Sequence, residues 1–123
     1  MTTTALDSAR ASRFADAWFR AWNSHDLDEI LSHYTDDVTL VSPTAAMLLG
    51  EPSGEVKGRA ALRAYFQKGL AAYPNLRFDP IDAMFGVRSV VLCYVNQKGT
   101  KTAEFMELDA NGKVARVVAN YSG

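Results

Sequence analysis

The last third of the chain constrains the fold more than any other stretch. It reads as three consecutive strands, Ser89–Val95, Thr100–Leu108 and Lys113–Tyr121. The connections between them, Asn96-Gln-Lys-Gly99 and Asp109-Ala-Asn-Gly112, are short, polar and end in glycine, which takes up the positive φ of a bulged hairpin turn. Strands joined this way make an antiparallel meander. The first strand is apolar on both faces, whereas a sheet with one wet side alternates apolar with polar, so each side of it needs a cover. In the second strand Glu104, Met106 and Leu108 share a face. An acid set among apolar neighbours marks Glu104 as the place to look for chemistry.

A chain of 123 residues, 48% of them hydrophobic, holds one core and is too short for two, so residues 1–123 are expected to form a single domain. Its net charge is −1 and its 13 Lys and Arg residues are scattered. That argues against a nucleic-acid partner, because neutralising phosphates takes a basic face. No apolar run approaches the roughly 20 residues that span a bilayer. The start, Met1-Thr-Thr-Thr-Ala-Leu-Asp7, lacks the basic and apolar regions of a secretory leader, which points to the cytoplasm. The lone Cys93 reads as a small buried hydrophobe, since apolar surroundings raise a thiol's pKa and leave little nucleophilic thiolate.

Upstream, Phe14, Trp18, Ala21 and Trp22 make one apolar stripe on a helix over residues 7–23. Asp26 with Glu29 three residues on resembles an acidic capping box, and starts a short second helix striped by Leu27, Ile30, Leu31 and Tyr34. Thr35-Asp36-Asp37 reads as a solvated turn into a strand, Val38–Ser42, stopped by Pro43. Residues 44–57 are irregular: Met47, Leu48 and Leu49 either form a flap over a pocket or belong to a strand or helical turn packed on the core. Gly58 opens a third helix with Leu62, Tyr65, Phe66, Leu70 and Tyr73 at helical spacing, and Pro74 ends it. Residues 76–85 form a strand whose Pro80 implies an edge or a bulge.

Three amphipathic helices and a bent sheet pack as two layers, so the expected class is α+β: a strongly curved antiparallel sheet wrapped around three N-terminal helices. Such a cone keeps an internal pocket at its open end, of the concave, mainly apolar kind that small hydrophobic molecules occupy.

Three stretches, Trp22–Pro43, Lys57–Phe66 and Asp109–Arg116, together with the element order, resemble the nuclear transport factor 2-like or cystatin-like superfamily. Within it the resemblance is to the SnoaL-like polyketide cyclase and ketosteroid isomerase branch. The resemblance implies a cone fold that serves isomerases, cyclases, epoxide hydrolases, dehydratases and proteins with no catalysis at all. It also permits a test by position. The shuttling aspartate of ketosteroid isomerases falls on Ser42, the enolate-donating tyrosine on Trp18 and the helper tyrosine on Phe66. Only the second oxyanion donor, a protonated acid, has a match, in Glu104. The family's steroid proton shuttle is therefore not expected here. Nor is the Asp-Arg-Asp set of limonene-type epoxide hydrolases, since no inward Arg between two Asp is found.

The expected pocket is lined by Trp18, Tyr34, Ser42, Met47, Phe66, Glu104, Met106 and Tyr121, each on a stripe or strand face that points into the cone. Glu104 is the candidate acid or base, with a raised pKa if buried; the competing register points it to solvent, Lys101 or Arg116. His25 reads as solvated and His33 as partly exposed, and two His without a close acidic partner make no metal site. No metal and no cofactor are expected. Two functions stay open. One is a cofactor-independent isomerase, cyclase or hydrolase acting through Glu104 on a hydrophobic, carbonyl-bearing compound. The other is a non-catalytic ligand-binding or accessory domain with the same pocket. Finally, Val91, Cys93 and Val95 alternate with Val90, Leu92 and Tyr94, so one of these two sets looks outward, and Phe105 and Val118 join it if Glu104, Met106, Ala119 and Tyr121 face in; a homodimer through that convex face is expected to cover the patch.

Overall fold

The computed structural model describes residues 5–123; of the N-terminal stretch read for a leader, residues 1–4 lie outside it. The first stripe is helix α1 (Ser8–Ser24), capped by Asp7, whose side chain accepts from Arg10 N. It buries Trp18, Phe19 and Trp22 with three alanines, each large side chain contributing about 2 kcal/mol. α1 ends where His25 turns left-handed. Asp26 accepts from Glu29 N and starts α2 (Leu27–Leu31), as the acidic cap implied.

Strand β1 (Tyr34–Val41) begins four residues earlier than its apolar pattern indicated. Tyr34 therefore opens a strand rather than closing the second helix, and Asp36 and Asp37 sit in an irregular stretch between Tyr34 and Thr39. There Asp36 pairs with Arg59 at 2.6 Å and Asp37 accepts from Thr35 Oγ1 at 2.9 Å. The irregular segment resolves into helix α3 (Pro43–Leu49) and a short strand, β2 (Glu55–Lys57). Ser42 caps α3 and Pro43 occupies its first turn, where a missing N–H costs nothing. Helix α4 (Arg59–Ala72) follows, then strands β3 (Asp79–Phe85), β4 (Ser89–Val95), β5 (Lys101–Leu108) and β6 (Val114–Tyr121). The described residues thus hold four helices where three were expected.

The six strands form one sheet in the order β2-β1-β6-β5-β4-β3. It is not wholly antiparallel: β1 and β6 run parallel, which the long return through α3, α4 and the meander permits. The meander turns as read, with Gly99 and Gly112 at φ +79° and +78°. β2 and β3 are the edge strands, and the pairing of β3 with β4 shifts register between Pro80 and Asp82. Such an irregularity discourages further strand addition.

Register sorts the two sheet faces. On the concave side one row runs Leu92, Glu104, Ala119, and the next runs Val90, Met106, Val117, Leu40, Val56. α1 packs against β3 and α4 against β1, closing the concave side over these rows. On the convex side Met84, Val91, Phe105, Val118 and Val41 line up across five strands. No helix among the described residues is long and apolar enough to cross a membrane.

One glycine ties this frame to the cavity rim. Gly54 has φ +66°, and a Cβ there would lie 2.6 Å from the carbonyl oxygen of Ser42, whose N–H donates to Gly54 O at 2.9 Å. Gly50 has a similar φ of +64° with no heavy atom within 4 Å of an added Cβ. Gly54→Ala should therefore lower stability by on the order of 3 kcal/mol, clearly more than Gly50→Ala, in urea unfolding. Equal losses would mean that only backbone conformation, not contact with Ser42, is at stake.

Candidate active site

The cavity at the open end of the cone has a volume of about 110 Å³, room for several waters and less than the several hundred Å³ of a drug-sized site. Its ligand must be compact. Glu104, in the middle of β5, faces into it and is only 8% exposed. Its β6 neighbour in the row is Ala119, whose small side chain leaves space over the carboxyl. Tyr94, two residues along β4 from Leu92, donates its hydroxyl to Glu104 Oε2. Oε1 has no hydrogen-bond partner among the described residues, and neither oxygen is in a salt bridge. Burial with no cation to offset it pushes the Glu104 carboxyl up to about 7, the Tyr94 hydrogen bond pulling the other way.

The donor to Glu104 is itself held from behind. Tyr94 stacks on Phe78 with ring centroids 4.2 Å apart. Asn23 at the end of α1 fixes the Phe78 backbone twice, donating to its carbonyl at 2.9 Å and accepting its N–H at 2.8 Å. His25 Nε2 lies 2.7 Å from Leu76 O, so it helps anchor the same segment and is not simply solvated. Across the cavity Tyr34 Oη accepts from Trp18 Nε1 at 3.0 Å. That leaves the Tyr34 proton without an acceptor among the described residues. At the rim Tyr121 Oη accepts from Thr44 Oγ1 at 2.9 Å and lies 3.2 Å from Ser42 Oγ. Burial raises the pKa of the Tyr34, Tyr65, Tyr94 and Tyr121 hydroxyls, and the Glu104 charge adds to the rise. All four are neutral hydrogen-bonding groups at physiological pH.

Of the residues placed in the pocket by sequence, Tyr34, Ser42, Phe66, Glu104 and Tyr121 line this cavity and three do not. Trp18 is fully buried one helical turn below Trp22, which takes the wall position; Trp18 instead supports Tyr34 and Phe78 from behind. Met106 is fully buried one row deeper than Glu104, between Val90 and Val117. Met47 is 58% exposed, because α3 turns Ala45 inward and Met47 to solvent. His33 packs edge-on against Phe14, and burial lowers its pKa; it does not line the cavity. Sequence reading also missed Tyr65, Phe78, Tyr94 and the turn residues Asn96, Gln97, Lys98 and Thr100 as wall residues. Tyr94 had a signal, since strand alternation puts it on the same face as Leu92. No group of three His, Cys, Asp or Glu that could hold a metal occurs among the described residues.

Residues 15–121 match the model of the family described as SnoaL-like domain. A SnoaL-like protein of unknown function from Burkholderia thailandensis is 37% identical, with a TM-score of 0.92 over 97% of this chain and 99% of that one. A protein of unknown function with a cystatin-like fold from Methylobium petroleophilum is 13% identical, with a TM-score of 0.76 over 97% and 80% of the two chains. SalBIII, an epoxide hydrolase/cyclase-like enzyme in pyran ring formation in the polyether salinomycin, is 20% identical, with a TM-score of 0.71 over 94% and 93%. The last two likenesses establish the fold alone. No curated protein matches the sequence.

The raised carboxyl has a thermodynamic signature. The unfolded chain ionises Glu104 near the ordinary 4.5 and the folded one near 7, so between these values the folded state binds more protons and stability falls as pH rises. Below about 4.5 there is no penalty; above about 7 it is complete, on the order of 3 kcal/mol. Glu104→Gln keeps the shape without the charge. Urea unfolding should find the variant close to the parent at pH 4.5 and more stable by roughly this amount at pH 8. A difference independent of pH would mean the carboxylate is solvated.

Proposed function

The chain belongs to the SnoaL-like domain family, and on that premise we propose that it catalyses proton transfer on a compact, carbonyl-bearing molecule with a hydrophobic skeleton, with Glu104 as general acid and base. The observation that carries this reading is the cavity's single acid, buried without a cation, held at one oxygen by Tyr94 and free at the other. A carboxyl balanced between its two forms at neutral pH serves both directions of a proton relay.

The chemistry follows from the placement. Oε1 of ionised Glu104 takes a proton from the carbon next to the substrate carbonyl. The C–H electron pair becomes the enolate double bond and the charge moves to the carbonyl oxygen. Tyr34, with its proton uncommitted, is the donor for that oxygen. Where a carbon–carbon double bond is conjugated with the enolate, returning the proton from Glu104 to its far carbon gives an isomer; attack of the enolate carbon on a second carbonyl of the same molecule closes a ring, the carbonyl π pair going to its oxygen and that alkoxide taking the proton back from Glu104. Neither outcome requires the aspartate that Ser42 replaces. The cyclase reading is in keeping with the fold's use by SalBIII, an epoxide hydrolase/cyclase-like enzyme.

2-Tetralone in deuterium oxide tests the proton step without knowledge of the natural substrate. Proton NMR should find its α-protons exchanging about 100-fold faster, or more, with the parent protein than with Glu104→Gln. Equal rates would remove Glu104 from the chemistry.

We also propose that the protein is a homodimer through the convex sheet face. The support is the transverse row Met84, Val91, Phe105, Val118 and Val41, apolar across five strands and at least partly open to solvent among the described residues. At about 25 cal/mol per Å² such a face gains from burial. Sedimentation equilibrium should give about twice the 13.5 kDa chain mass, and Phe105→Glu should reduce it to one chain. A parent protein at the single-chain mass contradicts the dimer.

A further inference from the structure

The cavity is chemically lopsided. Glu104 is the one acid among its lining residues, and Lys98 is the one cation, placed at the mouth on the turn between β4 and β5. We propose that Lys98 selects an anionic ligand, holding a carboxylate or comparably acidic oxygen at the mouth while the rest of the molecule lies against the aromatic walls. This rests on the cavity being a small-molecule site, but not on proton transfer by Glu104.

The turn that carries Lys98 is a fixed platform. Asn96 Oδ1 accepts from the backbone N–H of Lys98 at 3.0 Å and of Thr100 at 3.3 Å. Its Nδ2 donates to Thr100 Oγ1 at 2.8 Å and to Thr102 Oγ1 at 3.0 Å. From this platform the Lys98 side chain lies across the mouth, with Nζ 5.2 Å from the centroid of the Tyr73 ring. Tyr73 ends α4 and is itself a wall residue, so the ammonium bridges two sides of the opening. A cation over an aromatic face keeps its charge and three donor protons available on the other side.

What it lacks is an anion. Like most of the Lys and Arg residues, Lys98 belongs to none of the ion pairs among the described residues; unlike the others, it lines the cavity. Glu104 lies at the cavity floor and shares no ion pair with it. An anionic group entering the mouth would meet Lys98 first, whose ammonium is solvent-exposed and draws anions toward the opening. The walls between the two ends include Trp22, Phe66, Phe78 and Tyr73, flat surfaces that suit a planar, unsaturated skeleton. Size, walls and charge together describe a compact, planar organic acid that also bears a hydrogen-bonding oxygen for the floor.

The matched pair 2-naphthoate and 2-naphthamide has nearly one shape and differs in charge. Fluorescence titration at pH 6, where the acid is ionised and Glu104 largely neutral, should find naphthoate binding at least about tenfold tighter than the amide. Lys98→Met, which keeps the stem over Tyr73, should remove most of that preference, the loss falling mainly on naphthoate, and Lys98→Arg should restore it. Equal binding of acid and amide by the parent protein, or an undiminished preference in Lys98→Met, would overturn the role of Lys98 and leave the Glu104 chemistry standing. Failure of both probes to bind would overturn this inference together with the small-molecule reading of the cavity.

Discussion

A carboxyl group buried among aromatic rings with no cation beside it is expensive, and much of this molecule is organised around keeping one there. The hydrogen bond from Tyr94 satisfies Oε2, and little else in the cavity would favour the charged form. Tyr94 holds its position through Phe78, and Phe78 through the two backbone hydrogen bonds of Asn23. The support thus runs from the end of α1, through the segment before β3, to the middle of the sheet. Each link is short and each is buried or partly buried, so the carboxyl is set by the fold rather than by a mobile side chain.

The same sheet keeps three environments apart by register alone. One concave row, with Met106 at its centre, is core; the adjacent row, with Glu104 at its centre, opens on the cavity. A single step along the strand turns the chain to the convex row centred on Phe105. Residues of opposite character can therefore be neighbours in sequence without meeting. The cost is that every side chain depends on correct strand pairing, since a slip of one residue would place Phe105 in the cavity and Glu104 on the surface.

Much of this was legible in the sequence, and the reasons differ by element. The meander turns could be read because Gly99 and Gly112 occupy backbone conformations that other residues avoid. The inward face of β5 could be read because alternation leaves only two choices. By contrast, α3 was ambiguous: five apolar residues in a row fit a flap, a strand or a helix, and only the packing of Ala45 decides which faces turn in. Trp18 and Trp22 share one stripe, and the stripe does not say which turn of the helix reaches the mouth. The contacts of Asn23 and His25 join residues 55 and 51 positions apart, a pairing with no local signal. Lys98 was read only as part of a polar turn, since its meaning comes from Tyr73 lying opposite it.

The proton chemistry proposed for the cavity depends on Glu104 being a carboxyl at the edge of ionisation under neutral conditions. Carbon-13 NMR of its side-chain carboxyl, followed from pH 4 to 9, measures this without a substrate. The midpoint should lie near 7 and move upward in Tyr94→Phe, where the hydrogen bond that favours the ionised form is lost. A midpoint at or below the roughly 4.3 of a free glutamate would contradict that chemistry.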